Sequence, residues 1–256
     1  VFEYVQAEAN SNVMYMYQYN SLYMKMVILP DEQGRPSGIS VYDGTGTLAG
    51  EGSYTYAEDG SSRMDLYSLN AQTGETLHQA QLYDAHGNLT KYLMIDADGK
   101  ETVMTEQKYE YYADGTVKKQ ETYNAGGQVT NREEFDEQGN QTWYAYYSYD
   151  AAGNLSYGNE TEYYSNGRHK KQISYIDGKL QNCDLYNEQG VLTESENWWY
   201  DYKTGKPAGH SVCRYDETGR ETLRIEYDAD GKAVSYSGCS YVYDEEGRIA
   251  EARELA

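Results

Sequence analysis

Proline occurs three times and phenylalanine twice in 256 residues. Leu, Ile, Val and Phe together fill only 36 positions, too few for an ordinary two-layer core. Joined to a net charge of −21, that shortage is the usual composition of a disordered chain. Basic residues are scarce too, with 21 Lys and Arg against 42 Asp and Glu. The imbalance repels phosphate backbones and anionic lipid, so nucleic acid is not an expected partner. There is no apolar run of roughly 18 residues, as a membrane-spanning helix needs, and Val1-Phe2-Glu3 does not open a signal peptide. Cys183, Cys213 and Cys239 are odd in number and lack Cys-x-x-Cys spacing. They imply neither a disulfide framework nor a zinc site, and are expected to be small packing residues.

What the chain does have is tyrosine, 31 of them, and glycine, 25. The two combine in a unit best seen at Leu82-Tyr83-Asp84-Ala85-His86-Gly87-Asn88-Leu89-Thr90, with close versions at Tyr123–Thr130, Phe135–Asn140, Tyr149–Leu155, Tyr186–Gly190 and Tyr215–Arg220. Asp or Asn at the first turn position bonds its side chain to the backbone two residues on. Glycine then takes the left-handed conformation that closes a type I turn with a bulge. The Tyr before the turn and the Leu or Val six residues later are expected to face each other across two antiparallel strands, a pairing of roughly 0.2–1 kcal/mol repeated many times. This regularity, with tyrosine rings supplying buried area, overrides the compositional signal of disorder.

Turn glycines recur from Gly34 to Gly247 about every 13 residues, room for one strand between turns and for no helix. The fold class is therefore all-β: an antiparallel up-and-down meander of about 17 short repeats. Charged residues between the anchors, as in Val117-Lys118-Lys119-Gln120-Glu121-Thr122-Tyr123, argue for a largely single-layer sheet wetted on both sides. A twist of roughly 20° per strand would turn it into a coiled ribbon or shell. Residues 1–30, with Val13-Met14-Tyr15-Met16-Tyr17-Gln18-Tyr19 and the apolar run from Ser21 to Leu29, read as two capping strands. Residues 31–256 form one continuous repeat domain. The interval from the anchor after one turn to the anchor before the next is always even, as in Leu89 to Ile95, Val129 to Phe135 and Leu155 to Tyr163. Simple alternation then places both anchors of every strand on one face.

The run Tyr-Asp-x-x-Gly-Asn/Arg-Leu-Thr resembles the YD repeat of bacterial Rhs proteins, insecticidal-toxin shells and teneurins. It is carried by Tyr83-Asp84 with Gly87 to Thr90, Tyr149-Asp150 with Gly153 to Leu155, Tyr215-Asp216 with Gly219-Arg220, and Tyr243-Asp244 with Gly247-Arg248-Ile249. The resemblance implies a β-hairpin array, often coiled into a shell, on secreted or surface proteins that engage carbohydrates or enclose a toxin. Tyr111-Tyr112-Ala113-Asp114-Gly115-Thr116-Val117 and Tyr163-Tyr164-Ser165-Asn166-Gly167 look more like MORN or related antitoxin-type repeats. The two families share turn chemistry, and both stay open here.

No local motif carries catalysis, and the protein is not expected to be an enzyme. Glu133, Glu134 and Asp136, or Asp244-Glu245-Glu246, lack the apolar pocket that raises a glycosidase carboxyl. Asp96-Ala97-Asp98-Gly99 and Asp228-Ala229-Asp230-Gly231 lack the remaining ligands of a calcium loop and read as turns. His78, His86, His169 and His210 are scattered, so no metal site and no cofactor are expected. The binding candidates are aromatic: Trp143, Tyr144 and Tyr146 in one run, Trp198, Trp199 and Tyr200 in another. Exposed rings stack on sugar faces, although Tyr and Trp in strands more often serve cross-strand packing. The expected function is non-enzymatic, a secreted or cell-surface bacterial repeat protein binding a glycan or a protein partner through its sheet. The alternative is a purely structural spacer or shell segment of a larger surface or toxin-delivery protein, with a hydrolase as the remote third.

Overall fold

The computed structural model describes residues 2–5, 12–18, 21–69 and 73–255, and among them every helix or strand element is a strand. Contacts divide the chain into two units, Val1–Lys108 with Thr122–Gln128 and Tyr109–Glu121 with Val129–Ala256. The first holds β1 (Phe2–Val5), β2 (Asn12–Gln18), β3 (Ser21–Pro30), β4 (Pro36–Asp43), β5 (Leu48–Tyr56), β6 (Ser62–Leu69), β7 (Thr76–Tyr83) and β8 (Leu89–Ile95). The division falls within β9 (Glu101–Tyr111) and β10 (Val117–Asn124). The second unit continues with β11 (Val129–Phe135), β12 (Gln141–Tyr149), β13 (Leu155–Tyr163), β14 (His169–Ile176), β15 (Lys179–Tyr186), β16 (Leu192–Tyr200), β17 (Pro207–Tyr215), β18 (Glu221–Asp228), β19 (Ala233–Tyr243) and β20 (Ile249–Leu255).

From β1 to β9, and again from β11 to β20, each strand pairs antiparallel with the next. This is the up-and-down meander that the glycine spacing requires. Three strands rather than two precede the regular repeat, because Phe2–Val5 pairs with β2; Tyr19 lies outside the described residues.

The turn at Asp84 shows why the motif reads as it does. Asp84 N–H donates to the Asn88 carbonyl at 2.9 Å and Gly87 N–H to the Asp84 carbonyl at 3.0 Å. One carboxylate oxygen of Asp84 accepts the N–H groups of His86 and Asn88, at 3.0 and 2.9 Å. Gly87 sits at φ +85°, and every turn glycine from Gly34 to Gly247 lies between +68° and +88°, where a side chain is strained. At Tyr112 and Tyr164, which hold the first turn position instead of Asp, the capping oxygen comes from Asp114 and Asn166.

The motif's final Thr has its own task. Tyr83 faces Leu89 as expected, but Leu82 faces Lys91, so Thr90 is an extra, bulged residue. Its hydroxyl donates to the Leu82 carbonyl at 3.0 Å. Thr193 and Ser156 do the same to the carbonyls of Leu185 and Ser148.

That bulge overturns the expectation that both anchors of a strand share a face. A bulge places two successive residues on one side before alternation resumes. Leu89 stays with Tyr83, whereas Lys91, Leu93 and Ile95 fall with Leu82, Ala80 and His78 on the other side. Register shifts of the same kind follow nearly every turn of the second unit. Phe135, Tyr163, Tyr186 and Tyr215 therefore point one way, and Tyr149, Tyr175, Tyr200 and Tyr227 the other. The even intervals are real, but one inserted residue per turn inverts their meaning.

Packing runs between strands consecutive in the chain, and few side chains are fully enclosed. The main cluster lies in the first unit, where Ile39, Val41 and Met64 are buried against Met24, Met26, Ile28, Tyr54 and Leu66. Gly52, between Ile39 and Leu66 in the ladder, makes room for it. A Cβ there would stand 2.2 Å from the Asp65 carbonyl oxygen and 2.9 Å from Ile39. Of the cysteines, Cys213 is buried and Cys183 and Cys239 are partly so. Between the anchors opposite charges meet on the wet surface, as Lys119 does Glu121 at 2.9 Å.

Tyrosine hydroxyls tie turn to turn along the margins. In the first unit, Tyr56 donates to the Pro36 carbonyl at 2.7 Å. In the second, Tyr149 donates to Val129 and Tyr200 to Leu180, both at 2.7 Å, while Tyr112 donates to Phe135 and Tyr164 to Tyr186, both at 2.8 Å. Each bond joins a turn to the neighbouring turn on the same margin.

Candidate functional site

Strand alternation splits both aromatic runs. In β12, Trp143 shares a face with Ala145 and Tyr147, while Tyr144 and Tyr146 occupy the other. The cross-strand row Tyr146, Asn159, Ser174, Asn182, Asn197 carries the second of these faces to β16. There Trp199 lies on Tyr146's face, and Trp198 and Tyr200 lie on Trp143's. The face bearing Tyr144, Tyr146 and Trp199 is the front of the second unit; the face bearing Trp143, Trp198 and Tyr200 is its back. β12 and β16 are separated by four strand spacings, about 19 Å, so the six sequence candidates do not converge on one site.

The back face assembles rings that the sequence did not link. Trp198 stacks on His210 with centroids 4.3 Å apart, and His210 stacks on Tyr227 at 4.5 Å with the planes only 7° apart. His210 Nε2 is 3.7 Å from Glu196, and the Trp198 indole nitrogen is buried with no hydrogen-bond partner. Nothing local marks His210; its place opposite Trp198 depends on the longer turn at Asp201-Tyr202-Lys203-Thr204-Gly205 and on the bulge that follows. On the same face, across β12 and β13, Tyr147 donates to Glu160 at 2.8 Å, and burial first, then this bond, pushes its phenol well above the usual range.

A second group missed in the sequence lies in the first unit. Asp65 accepts both Nε and Nη2 of Arg63, at 2.8 and 2.9 Å, and lies 2.8 Å from His78 Nε2. His78 stacks on Tyr67 at 4.1 Å, and Arg63 also reaches Glu101 at 2.6 Å. The Arg63 guanidinium, aided by His78, holds the Asp65 carboxyl below its ordinary range against a smaller opposing effect of burial. A carboxylate so engaged is an ion-pair partner rather than a base. Among the described residues no three His, Cys, Asp or Glu side chains gather to hold a metal. A depression of about 490 Å³, lined in part by Tyr56, Arg63, Leu82, Tyr83 and Thr90, opens between neighbouring turns.

These features define an all-β repeat meander with two chemically distinct faces in its second unit. No protein-family model matches the chain, and no curated protein does. Among solved structures, 94% of the chain is similar to TcdB2-TccC3 without its hypervariable C-terminal region, at 13% identity over 15% of that chain and a TM-score of 0.26. The Tc holotoxin pore of Photorhabdus luminescens matches 94% of the chain at 14% identity over 15% of its own, with a TM-score of 0.20. TarM of S. aureus matches 41% at 17% identity over 19% of its own, with a TM-score of 0.27. The chain thus spans under a fifth of each of these relatives. Likenesses at such scores say nothing of activity.

Proposed function

We propose that the chain is a structural β-repeat segment, a length of wall within a larger secreted or cell-surface protein of the toxin-delivery kind. The reading rests on the tyrosine ties along the margins, from Tyr56 to Pro36 in one unit and from Tyr149 to Val129 and Tyr200 to Leu180 in the other. Each tie secures a turn to its neighbour without enlarging a core, so the array lengthens hairpin by hairpin, with stability summed over neighbours. The YD-like turn motif supports the secreted setting.

A wall exposed outside the cell must resist proteolysis while folded, and this gives the test. Trypsin meets 21 Lys and Arg in the sequence, yet the folded chain should stay intact between β3 and β19 while a urea-unfolded control is digested. A Tyr149→Phe, Tyr200→Phe variant should be cut first at Lys179 and Lys203, beside the turns loosened at Leu180 and Tyr200. Cleavage of the intact protein within these strands at the rate of the unfolded control would rule the wall reading out.

A further inference from the structure

The two faces of the second unit differ sharply in charge. Two cross-strand rows run over β12–β17 on the front. One is Tyr146, Asn159, Ser174, Asn182, Asn197, Ser211; the other is Tyr144, Thr161, Gln172, Asp184, Ser195, Cys213. Asp184 is the single charged residue among them. The two matching rows on the back hold Glu160, Glu162, Lys171, Glu194, Glu196 and Arg214. Thr161, Ser195, Ser211 and Cys213 on the front are closed in by larger neighbours; the remaining members of the two rows meet solvent with Asp184 as their one charge, in a chain that is 25% charged.

Exposure divides the faces the same way. Four large apolar side chains on β12–β17 stand open to solvent: Tyr146 at 43%, Tyr157 at 42%, Ile176 at 49% and Trp199 at 41%. All four are on the front, since Tyr157 pairs with Ile176 and alternates with Asn159. Tyr146 and Tyr157 lie 6.4 Å apart, and Trp199 is three strand spacings from Tyr157, about 14 Å. Between them the amides are held by their neighbours. Asn182 donates to Asp184 at 3.0 Å and to Asn197 at 3.1 Å, and Asn197 donates to Ser195 at 3.0 Å.

We infer that the front of β12–β17 is a binding surface for a neutral polysaccharide. Tyr and Trp give rigid contact area at low entropic cost, and Ser and Asn give adaptable hydrogen bonds, the combination that recognition surfaces favour. A neutral sugar chain offers the complement: C–H faces for the rings of Tyr146, Tyr157 and Trp199, and hydroxyls that both donate to and accept from amides. An acidic polymer is repelled by the net charge of −21, and a basic one finds its partners on the back, at Glu160, Glu162, Glu194 and Glu196. Of the six sequence candidates the surface uses Tyr144, Tyr146 and Trp199, and it adds Tyr157. It goes beyond a wall's structural role and stands independently of it.

Affinity electrophoresis through gels holding soluble glucan, xylan, mannan or galactan, with heparin as the acidic comparison, tests the surface. At least one neutral polymer should retard the protein, and 1 M salt should leave the retardation in place. A Tyr157→Ala, Trp199→Ala variant with unchanged circular dichroism should weaken binding about tenfold or more, whereas Trp143→Ala on the back should leave it within about twofold. Asn197→Asp, which removes no ring, should also weaken it and covers the case in which the double variant does not fold. Retardation by heparin alone, by none of the neutral polymers, or equally impaired by Trp143→Ala would overturn the inference.

Discussion

The hydroxyl of Tyr149, at the end of β12, donates to the main-chain carbonyl of Val129 at 2.7 Å, closing a distance of twenty residues along the sequence. The same bond recurs from Tyr200 to Leu180 over the same interval. Since the ring survives in phenylalanine, Tyr149→Phe isolates the hydroxyl. It should lower unfolding free energy by about 1 kcal/mol, and Tyr149→Phe with Tyr200→Phe should lower it additively, the sites being far apart. Urea denaturation of the single and double variants checks both values. A double variant as stable as the parent would remove the ties as a source of stability.

Glycines within strands should separate into two kinds. A Cβ at Gly52 meets a main-chain oxygen at 2.2 Å, which no rotamer change relieves, whereas a Cβ at Gly158 meets only the rings of Tyr147 and Tyr175, at 3.1 and 3.2 Å. Gly52→Ala is expected to cost about 3 kcal/mol through overpacking. Gly158→Ala should stay within about 1 kcal/mol of the parent, because small ring shifts are offset by the lower backbone entropy of alanine. Thermal unfolding of the two variants in parallel gives the ordering.

Much of this order was legible in the residues. Asp84, Gly87 and their copies announce the turn because each residue acts within five positions of the next, and Tyr83 opposite Leu89 follows from the same local geometry. The faces were not legible, because they depend on Thr90 and its equivalents being counted as extra, and alternation alone cannot reveal an inserted residue. For the same reason Trp143 and Tyr144 look like one cluster in the sequence and belong to opposite surfaces. His210 between Trp198 and Tyr227 is a product of register across three strands, so no spacing within one strand signals it.

Acid should loosen the array at its turns. Asp43 is held below its ordinary value first by the Thr45 hydroxyl and then by the Thr47 N–H, and Asp150 first by the Asn154 amide and then by that residue's N–H. Burial opposes the fall at Asp216, yet bonds from Tyr243, Thr218 and two backbone N–H groups bring it down to about 2. A carboxyl with a depressed folded pKa contributes stability that is fully present above its unfolded value near 3.8. That stability is lost as pH falls through the folded value. Stability should therefore be flat from neutral pH to about 5 and fall between about 4 and 2. Asp216→Asn, which keeps an acceptor oxygen but cannot titrate, should flatten part of that fall. Urea midpoints measured across this range would contradict the account if the loss began above pH 5 or if Asp216→Asn left the slope unchanged.

Damage to the enclosed cluster of the first unit should stay where it is made. Met64 is buried against Ile39 and Val41, with Met24, Met26 and Tyr54 around it, while ladder pairing passes from each strand to the next in the chain. Met64→Ala removes most of a buried side chain and leaves a cavity, which costs about 2–4 kcal/mol. Met64→Leu keeps the volume and should cost less than about 1.5 kcal/mol. In an array held together by neighbour terms, the loss appears as faster local opening rather than uniform weakening. Amide hydrogen exchange should thus accelerate in β3 to β7 of Met64→Ala and stay at the parent rate in β12 to β18. Equal acceleration in both regions would mean that the strands open as one cooperative body and that the neighbour-by-neighbour account of this sheet is wrong.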